Sequence, residues 1–167
     1  HLCGTDKTER DVLARLLYGF RIAMTFAIGY LSLTYLIAIA AGSLMGFLGG
    51  KTDMVGLRLV EIWANVPFLY MVIILVSVMP GWWGVGWQVC ALLLIMVLFS
   101  WTGLTYYVRA AVYKEKSRDY VSAAKVIGAG PLRIIFKHLL PKVFSTLVPF
   151  APCSIAAAIS SIAALVV

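Results

Sequence analysis

Charge vanishes from this chain in three long runs. No Asp, Glu, Lys or Arg occurs in 22–50, in 62–108 or in 143–167. A helix needs about 20 apolar residues to cross the hydrocarbon core of a bilayer. The first and last runs therefore each suit one crossing, and the middle run suits two. Pro80-Gly-Trp-Trp-Gly-Val-Gly86 divides the middle run with turn-forming residues. The pattern predicts an all-α, polytopic transmembrane helical bundle with about four spans, near 23–47, 60–79, 87–108 and 144–166. Ahead of them, Leu13, Leu16, Leu17 and Phe20 fall on one helical face, with Arg10, Asp11, Ala14 and Arg15 mostly off it. That is the pattern of an N-terminal interfacial helix lying along the membrane surface before the chain turns inward. Gly4-Thr5-Asp6 supplies turn and cap chemistry in front of it.

Composition agrees with the pattern. At 62% hydrophobic and 13% charged residues, with a mean hydropathy of +0.96, the chain is far from a soluble all-helical domain. No cleavable signal is visible: His1 is not an initiator Met, and 1–21 carries seven charged side chains. The chain closes inside an apolar run, Ala163-Ala-Leu-Val-Val167, so a fragment of a longer protein is expected. Cys3, Cys90 and Cys153 are widely spaced, form no metal or redox pair, and read as small buried residues.

The charges that remain are concentrated. Arg109, Lys114, Lys116, Arg118, Lys125, Arg133, Lys137 and Lys142 lie between the third and fourth runs, opposed only by Glu115 and Asp119. The positive-inside bias puts this loop in the cytoplasm, together with 48–59, and puts 80–86 and 1–21 outside. No nucleic-acid module accompanies the basic loop, so its setting is the lipid bilayer and not nucleic acid.

Several local features have packing roles. Ala38, Gly42 and Gly46, and again Ala156, Ser160 and Ala164, form ridges of small residues that let a second helix come close. Gly46-Phe-Leu-Gly-Gly-Lys-Thr52 is one residue short of a phosphate-binding loop and follows an apolar helix instead of a strand, which excludes nucleotide binding there. Arg58 and Glu61 suit an i,i+3 ion pair, and Pro67 should kink the second span. Trp82, Trp83 and Trp87 at the outer end, with Tyr106 and Tyr107 at the inner end, suit an aromatic belt. Asn65 and Ser100 are polar groups inside spans and are candidates for a solute path. No catalytic residue, metal site or cofactor site is expected.

The charged loop itself reads as two short helices. Asp119 suits an N-cap for a helix over 120–127, with Gly128 as its left-handed stop. Gly130-Pro131 opens a second helix whose Leu132, Ile135, Phe136, Leu139 and Leu140 share one face, with Arg133 and Lys137 on the polar side and Pro141 at the return to the membrane.

Ala123-Ala124, Gly128 and His138-Leu-Leu-Pro141, at this spacing, resemble the cytoplasmic coupling (EAA) loop of bacterial ABC-importer permeases. A second resemblance runs from Gly4 to Arg21. Oligopeptide, dipeptide and nickel permeases carry a Gly-Thr-Asp-x-x-Gly-Arg-Asp-Val-Leu-x-Arg-Leu-Leu-Tyr-Gly-x-Arg stretch, matched here except for Glu9 at a glycine. Within that group, Leu16-Leu-Tyr-Gly-Phe-Arg-Ile22, Gly49-Gly-Lys-x-Asp53 and Glu61-Ile-Trp-x-x-x-Pro67 are most similar to the microcin C and oligopeptide-like subgroup. Ser122 stands where the family usually has a Glu, which weakens a capping box and removes any contact specific to Glu.

The resemblance implies a permease subunit in the bacterial inner membrane, moving peptides or peptide-like solutes by alternating access. Residues 1–21 would be extracytoplasmic or interfacial. Residues 22–167 would be a truncated permease domain with its coupling loop at 114–142. Implied partners are a second permease subunit, two ABC ATPase subunits that hydrolyse the ATP, and an extracytoplasmic solute-binding protein. Implied coupling-loop residues are Asp119, Tyr120, Ser122, Ala123, Ala124, Gly128, Gly130, His138 and Pro141. Ala123, Ala124 and Gly128 would face the ATPase, and His138 would be structural. The alternative function is a membrane scaffold that transports nothing.

Overall fold

The computed structural model describes residues 12–166. Gly4-Thr5-Asp6, Glu9 and Cys3 lie outside the described residues. The chain is helical nearly throughout: α1 (Val12–Leu48), α2 (Gly50–Ala64), α3 (Phe68–Val78), α4 (Val85–Lys116), α5 (Asp119–Val126), α6 (Pro131–Leu147) and α7 (Phe150–Val166).

Among the described residues, two helices are long and apolar enough to cross a membrane, over Leu16–Leu48 and Gly86–Lys116. They correspond to the expected first and third spans. The other two depart from expectation. α3 has 11 residues, about 16 Å at 1.5 Å per residue, which is too short to cross the core. The expected second span is broken at Asn65–Pro67 because proline has no N–H and disfavours helical geometry at the preceding residue. The expected fourth span is the end of α6 joined to α7 across a bend of 58°, with Pro149 in the break. The segment 48–59, between the first two expected spans, is largely helical. Gly49 alone separates α1 from α2, and the backbone reverses through positive φ at Gly49 (67°) and Gly50 (57°). From Val12 the N-terminal amphipathic stretch continues without a break into the first span.

The centre of the fold is the seam between α1 and α4. Ala38 is completely buried. A Cβ added to Gly42 would lie 2.7 Å from Cβ of Val108 and 2.9 Å from the Thr105 carbonyl oxygen, and one added to Gly46 would lie 2.8 Å from the Arg109 carbonyl oxygen. The small-residue ridge of α1 therefore brings the two backbones together. In lipid, where there is no hydrophobic drive between helices, such close packing supplies the association energy. Among the described residues, Ala156 and Ser160 of the second ridge do not do this. Ala156 and Ser160 are exposed, and α7 packs instead through Ala158, Ile155 and Ile159 against Phe26, Ala27 and Met96. Cys90 and Cys153 are free and exposed, contrary to the expectation of burial. Their small side chains sit on faces that the described chain leaves uncovered.

α2 is tied to α4 by specific polar contacts. Arg109 on α4 donates through both Nε and Nη2 to the two carboxylate oxygens of Asp53 in the first turn of α2. This partly buried, bidentate pair holds the Asp53 carboxyl below the usual carboxylate range, chiefly through its hydrogen bonds to Arg109. Farther along, Trp63 Nε1 donates to the Leu98 carbonyl at 2.8 Å, and its ring stacks on Phe99 with centroids 5.6 Å apart. Arg58 and Glu61 form the expected i,i+3 pair at 2.6 Å, well exposed.

Candidate functional site

The α4–α5 turn is organised around Glu115. Its carboxylate accepts from Arg118 Nε at 3.0 Å and from the Tyr120 hydroxyl at 2.8 Å. The Lys142 ammonium, reaching from α6, lies 5.0 Å from the centroid of the Tyr120 ring. Burial first, and then the hydrogen bond to the Glu115 carboxylate, push the Tyr120 phenol up to about 12. Tyr120 is thus held neutral and as a donor, clamped between the end of α4 and the body of α6.

α5 has two faces, set by the helical period. Val121 and Ala124, three residues apart, are buried in a cluster with Val108, Val112, Ile134 and Leu139. Ser122, Ala123, Lys125, Val126 and Ile127 are exposed, with Val126 at 86% and Ile127 at 84%. The expectation that Ala124 faces outward is corrected: it anchors α5 to the chain's own core, while Ala123 and Gly128 are accessible. Asp119 is also reassigned. Arg118 occupies the N-cap without a side-chain cap bond, and Asp119 is the first helical residue. There its carboxylate faces the positive end of the helix dipole without serving as a cap.

The other end of α5 follows expectation. Gly128 has φ +79°, and two reversed bonds close the helix, Ala129 N–H to Ala124 O and Gly128 N–H to Lys125 O, both 3.0 Å. This Schellman closure requires the left-handed glycine. Gly130 then leads into α6, with Pro131 as its first residue, where its missing N–H costs nothing.

α6 departs from the regular helix expected. Residues Ile134–Leu139 form a π-helical turn, in which Leu140 N–H bonds five residues back to Ile135 O. Pro141, which cannot donate to the carbonyl four residues before it, lies just beyond. The buried stripe becomes Ile134, Ile135, Leu139, Val143 and Leu147, while Leu132 and Phe136 are exposed. Arg133 and Lys137 lie on the exposed side, as expected, and His138 is half-buried. Among the described residues no group of three or more His, Cys, Asp or Glu side chains is placed to hold a metal.

The two intramembrane candidates are separated. Asn65 is exposed at the α2–α3 break, and its Nδ2 donates to the Glu61 carbonyl at 2.7 Å. Ser100 lines a cavity of about 190 Å³ between α1, α4 and α7, whose walls include Thr34, Tyr35, Tyr107 and Ser154. Asn65 does not line it.

A sequence profile for the binding-protein-dependent transport system inner membrane component matches residues 38–167. The chain belongs to this family. It is 38% identical over 162 residues to the peptidoglycan transport system permease protein YejE of Agrobacterium fabrum, covering 97% of this chain and 41% of the relative. It is 37% identical to the inner membrane ABC transporter permease protein YejE of Escherichia coli, covering 97% and 46%. It is 34% identical to the dipeptide transport system permease protein DppC of Lactococcus lactis, covering 89% and 41%. The chain thus spans less than half the length of these relatives.

In this inner membrane component, sequence reasoning missed four features of the loop. Glu115 was discoverable as one of only two acids in a strongly basic stretch. Val126 and Ile127 also carried a signal, as an apolar pair immediately before the helix-stop glycine of a basic loop. The burial of Val121 and the reach of Lys142 to Tyr120 depend on tertiary packing and had no local signature.

Proposed function

We propose that this chain is part of a permease subunit of an ATP-driven ABC importer for peptides or peptide-like solutes. α5, within the loop 114–142, would receive the movement of an ABC ATPase. The observation that carries this reading is the build of α5. One face is fastened through Val121 and Ala124 to α4 and α6, and the other is exposed and ends in Val126 and Ile127. A push on the exposed face therefore moves the ends of α4 and α6 as a body, because the packed interface between them resists independent motion. Family membership and relatives named as peptidoglycan and dipeptide permeases support the solute class.

In this reading Ser122, Ala123, Val126, Ile127 and Gly128 form the docking face. Asp119, Tyr120, Gly130, His138 and Pro141 shape the loop, and Ala124 fixes it from inside. Residues 22–167 belong to the permease domain, with 1–21 extracytoplasmic or interfacial. The partners are a second permease subunit, two ATPase subunits that carry the ATP chemistry, and an extracytoplasmic solute-binding protein.

The test is disulfide crosslinking from Ala123→Cys in an otherwise cysteine-free protein, coexpressed with the partner permease and the ABC ATPase encoded beside it. Crosslinks to the ATPase that change with nucleotide are expected. If no position among the exposed residues of α5 crosslinks in an assembled complex, the coupling role is wrong and a membrane scaffold becomes the better account.

A further inference from the structure

Glu115 is one of two acids set among the eight bases of 109–142, and it is turned inward, with its side chain 13% exposed. Its two carboxylate oxygens serve different partners. Oε1 accepts from Arg118 Nε at 3.0 Å, and Oε2 accepts from the Tyr120 hydroxyl at 2.8 Å. The Tyr120 ring in turn carries the Lys142 ammonium, 5.0 Å from its centroid. A carboxylate of α4 and an ammonium of α6 thus meet on one side chain of α5. With its phenol pushed up to about 12, Tyr120 remains a donor throughout the neutral range.

The geometry of α5 shows what this meeting adds. The helix has eight residues, of which Val121 and Ala124 are buried, and these two lie about 60° apart around its axis. Contacts so close in angle form a narrow line of attachment. Apolar burial is non-directional, so the line holds α5 to its neighbours but does little against a roll about that line. Tyr120 stands about 70° to one side of the line, whereas Lys125, about as far to the other side, is exposed. The hydrogen bond from Tyr120 is directional and lies off the line, which is what fixing a roll requires. Without it, Ser122, Ala123, Val126 and Ile127 could swing relative to α4 and α6 while the apolar contacts stayed made.

We propose that Glu115 and Lys142 are positioning residues, which act through Tyr120 to set the angle at which α5 presents its exposed face to the ATPase. This rests on the coupling reading above. Tied to both α4 and α6, the face keeps one orientation while α5 is pushed, so the displacement goes into those two helices and not into a turn of α5 about its own axis. Released, α5 samples several orientations, and a partner docked on it moves without moving α4 and α6 to the same extent.

The test uses the full-length protein, free of native cysteines, with its partner permease and ABC ATPase in liposomes. Spin labels at Tyr113→Cys on α4 and Lys125→Cys on α5, both exposed positions, report the roll through the distribution of distances between them. Tyr120→Phe keeps the ring and loses the donor, and Glu115→Ala loses the acceptor. Each should raise the share of distances outside the parent distribution by about 3- to 10-fold, the effect of one hydrogen bond. Lys142→Gln should raise it by about 2- to 5-fold. Glu115→Gln, which keeps an oxygen acceptor, and Lys142→Arg, which keeps the cation, should recover most of the parent distribution. In the broadened variants the nucleotide-dependent change in crosslinking from Ala123→Cys to the ATPase should shrink. Distances unchanged in both Tyr120→Phe and Glu115→Ala overturn the proposal. So does a Glu115→Gln variant as broad as Glu115→Ala, which would show that the Arg118 ion pair and not the phenol holds α5. Line shapes of an unfolded segment at Lys125→Cys would make the contacts mere supports of the turn, and overturn it too. If the parent protein gives no crosslink to the ATPase, the coupling reading fails, while the distances still decide whether Tyr120 fixes the roll.

Discussion

Over 38–46, α1 meets α4 backbone against backbone, whereas α2 and α3 lean on α4 through a few side chains. In the seam, Ala38, Gly42 and Gly46 set backbone against backbone, and Val108 and Val112 are fully buried. Among the described residues of α2 and α3, Val60 and Val72 are buried, while Ile62, Ile73, Ile74 and Val78 are exposed. The attachment there is by identifiable contacts: the Asp53–Arg109 pair, the Trp63 hydrogen bond, and the Trp63 and Phe68 rings on Phe99. Hydropathy alone does not distinguish the two pairs. What separates them is side-chain size at four-residue intervals in α1 and the proline that interrupts the second pair.

The comparison breaks most visibly at Gly42. Gly42→Leu must displace the Thr105 carbonyl and Val108, and backbone cannot yield as a flexible side chain can. It should cost about 3 kcal/mol, seen as loss of monodisperse protein in detergent and a lower thermal midpoint. Gly103→Leu on the open side of α4, where an added Cβ meets nothing within 4 Å, should stay within about 0.5 kcal/mol in the same assay. Equal losses at both positions would mean the seam is not special.

Next comes the clamp on α2. Asp53→Asn removes a charge-assisted bidentate contact and leaves Arg109 partly buried, for about 2 kcal/mol in denaturant unfolding from micelles. Because the folded state depresses the Asp53 pKa, its contribution is fully present above the unfolded carboxylate value and is lost as pH falls through the lower folded one. The stability difference between the native protein and Asp53→Asn should accordingly hold at neutral pH and shrink only below about pH 4. A difference that instead shrank between pH 6 and 8 would show that another group governs the contact.

Smaller effects complete the order. Trp63→Phe keeps a ring for Phe99 and loses the bond to the Leu98 carbonyl, worth about 1 kcal/mol by the same unfolding measurement. Arg58→Ala breaks a pair whose side chains are 75% and 43% exposed and should cost under about 0.5 kcal/mol. A larger loss there would reveal a contact of Arg58 beyond Glu61.

How much was readable from sequence follows the range of the forces involved. The α1 seam was legible because small residues at fixed spacing act locally and have few other uses. Gly128 was legible because only one residue type sits easily at φ +79°, and the turn at Pro80–Gly86 because a cluster of Pro and Gly interrupts a helix. The break at Pro67 was foreseen as a kink and proved complete. The inward turn of Ala124 was not legible, since α5 is eight residues long and small side chains mark either of its faces. The continuity of the amphipathic stretch with α1 was not legible, because periodicity fixes which face is apolar but not where a helix ends.

The π-helical turn in α6 acts as a phase adjustment. Ile135, Leu139, Val143 and Leu147 recur every four residues, a spacing that drifts about 40° per repeat on an ideal helix. The wider turn takes up part of that drift and keeps the row aimed at α4. Inserting one residue between Leu139 and Val143 would turn everything beyond it by about 100°, carrying Val143 and Leu147 off the core without altering their chemistry. For this stretch of chain, length is as much a specification as residue type, and a single-codon insertion would be more damaging than most substitutions nearby.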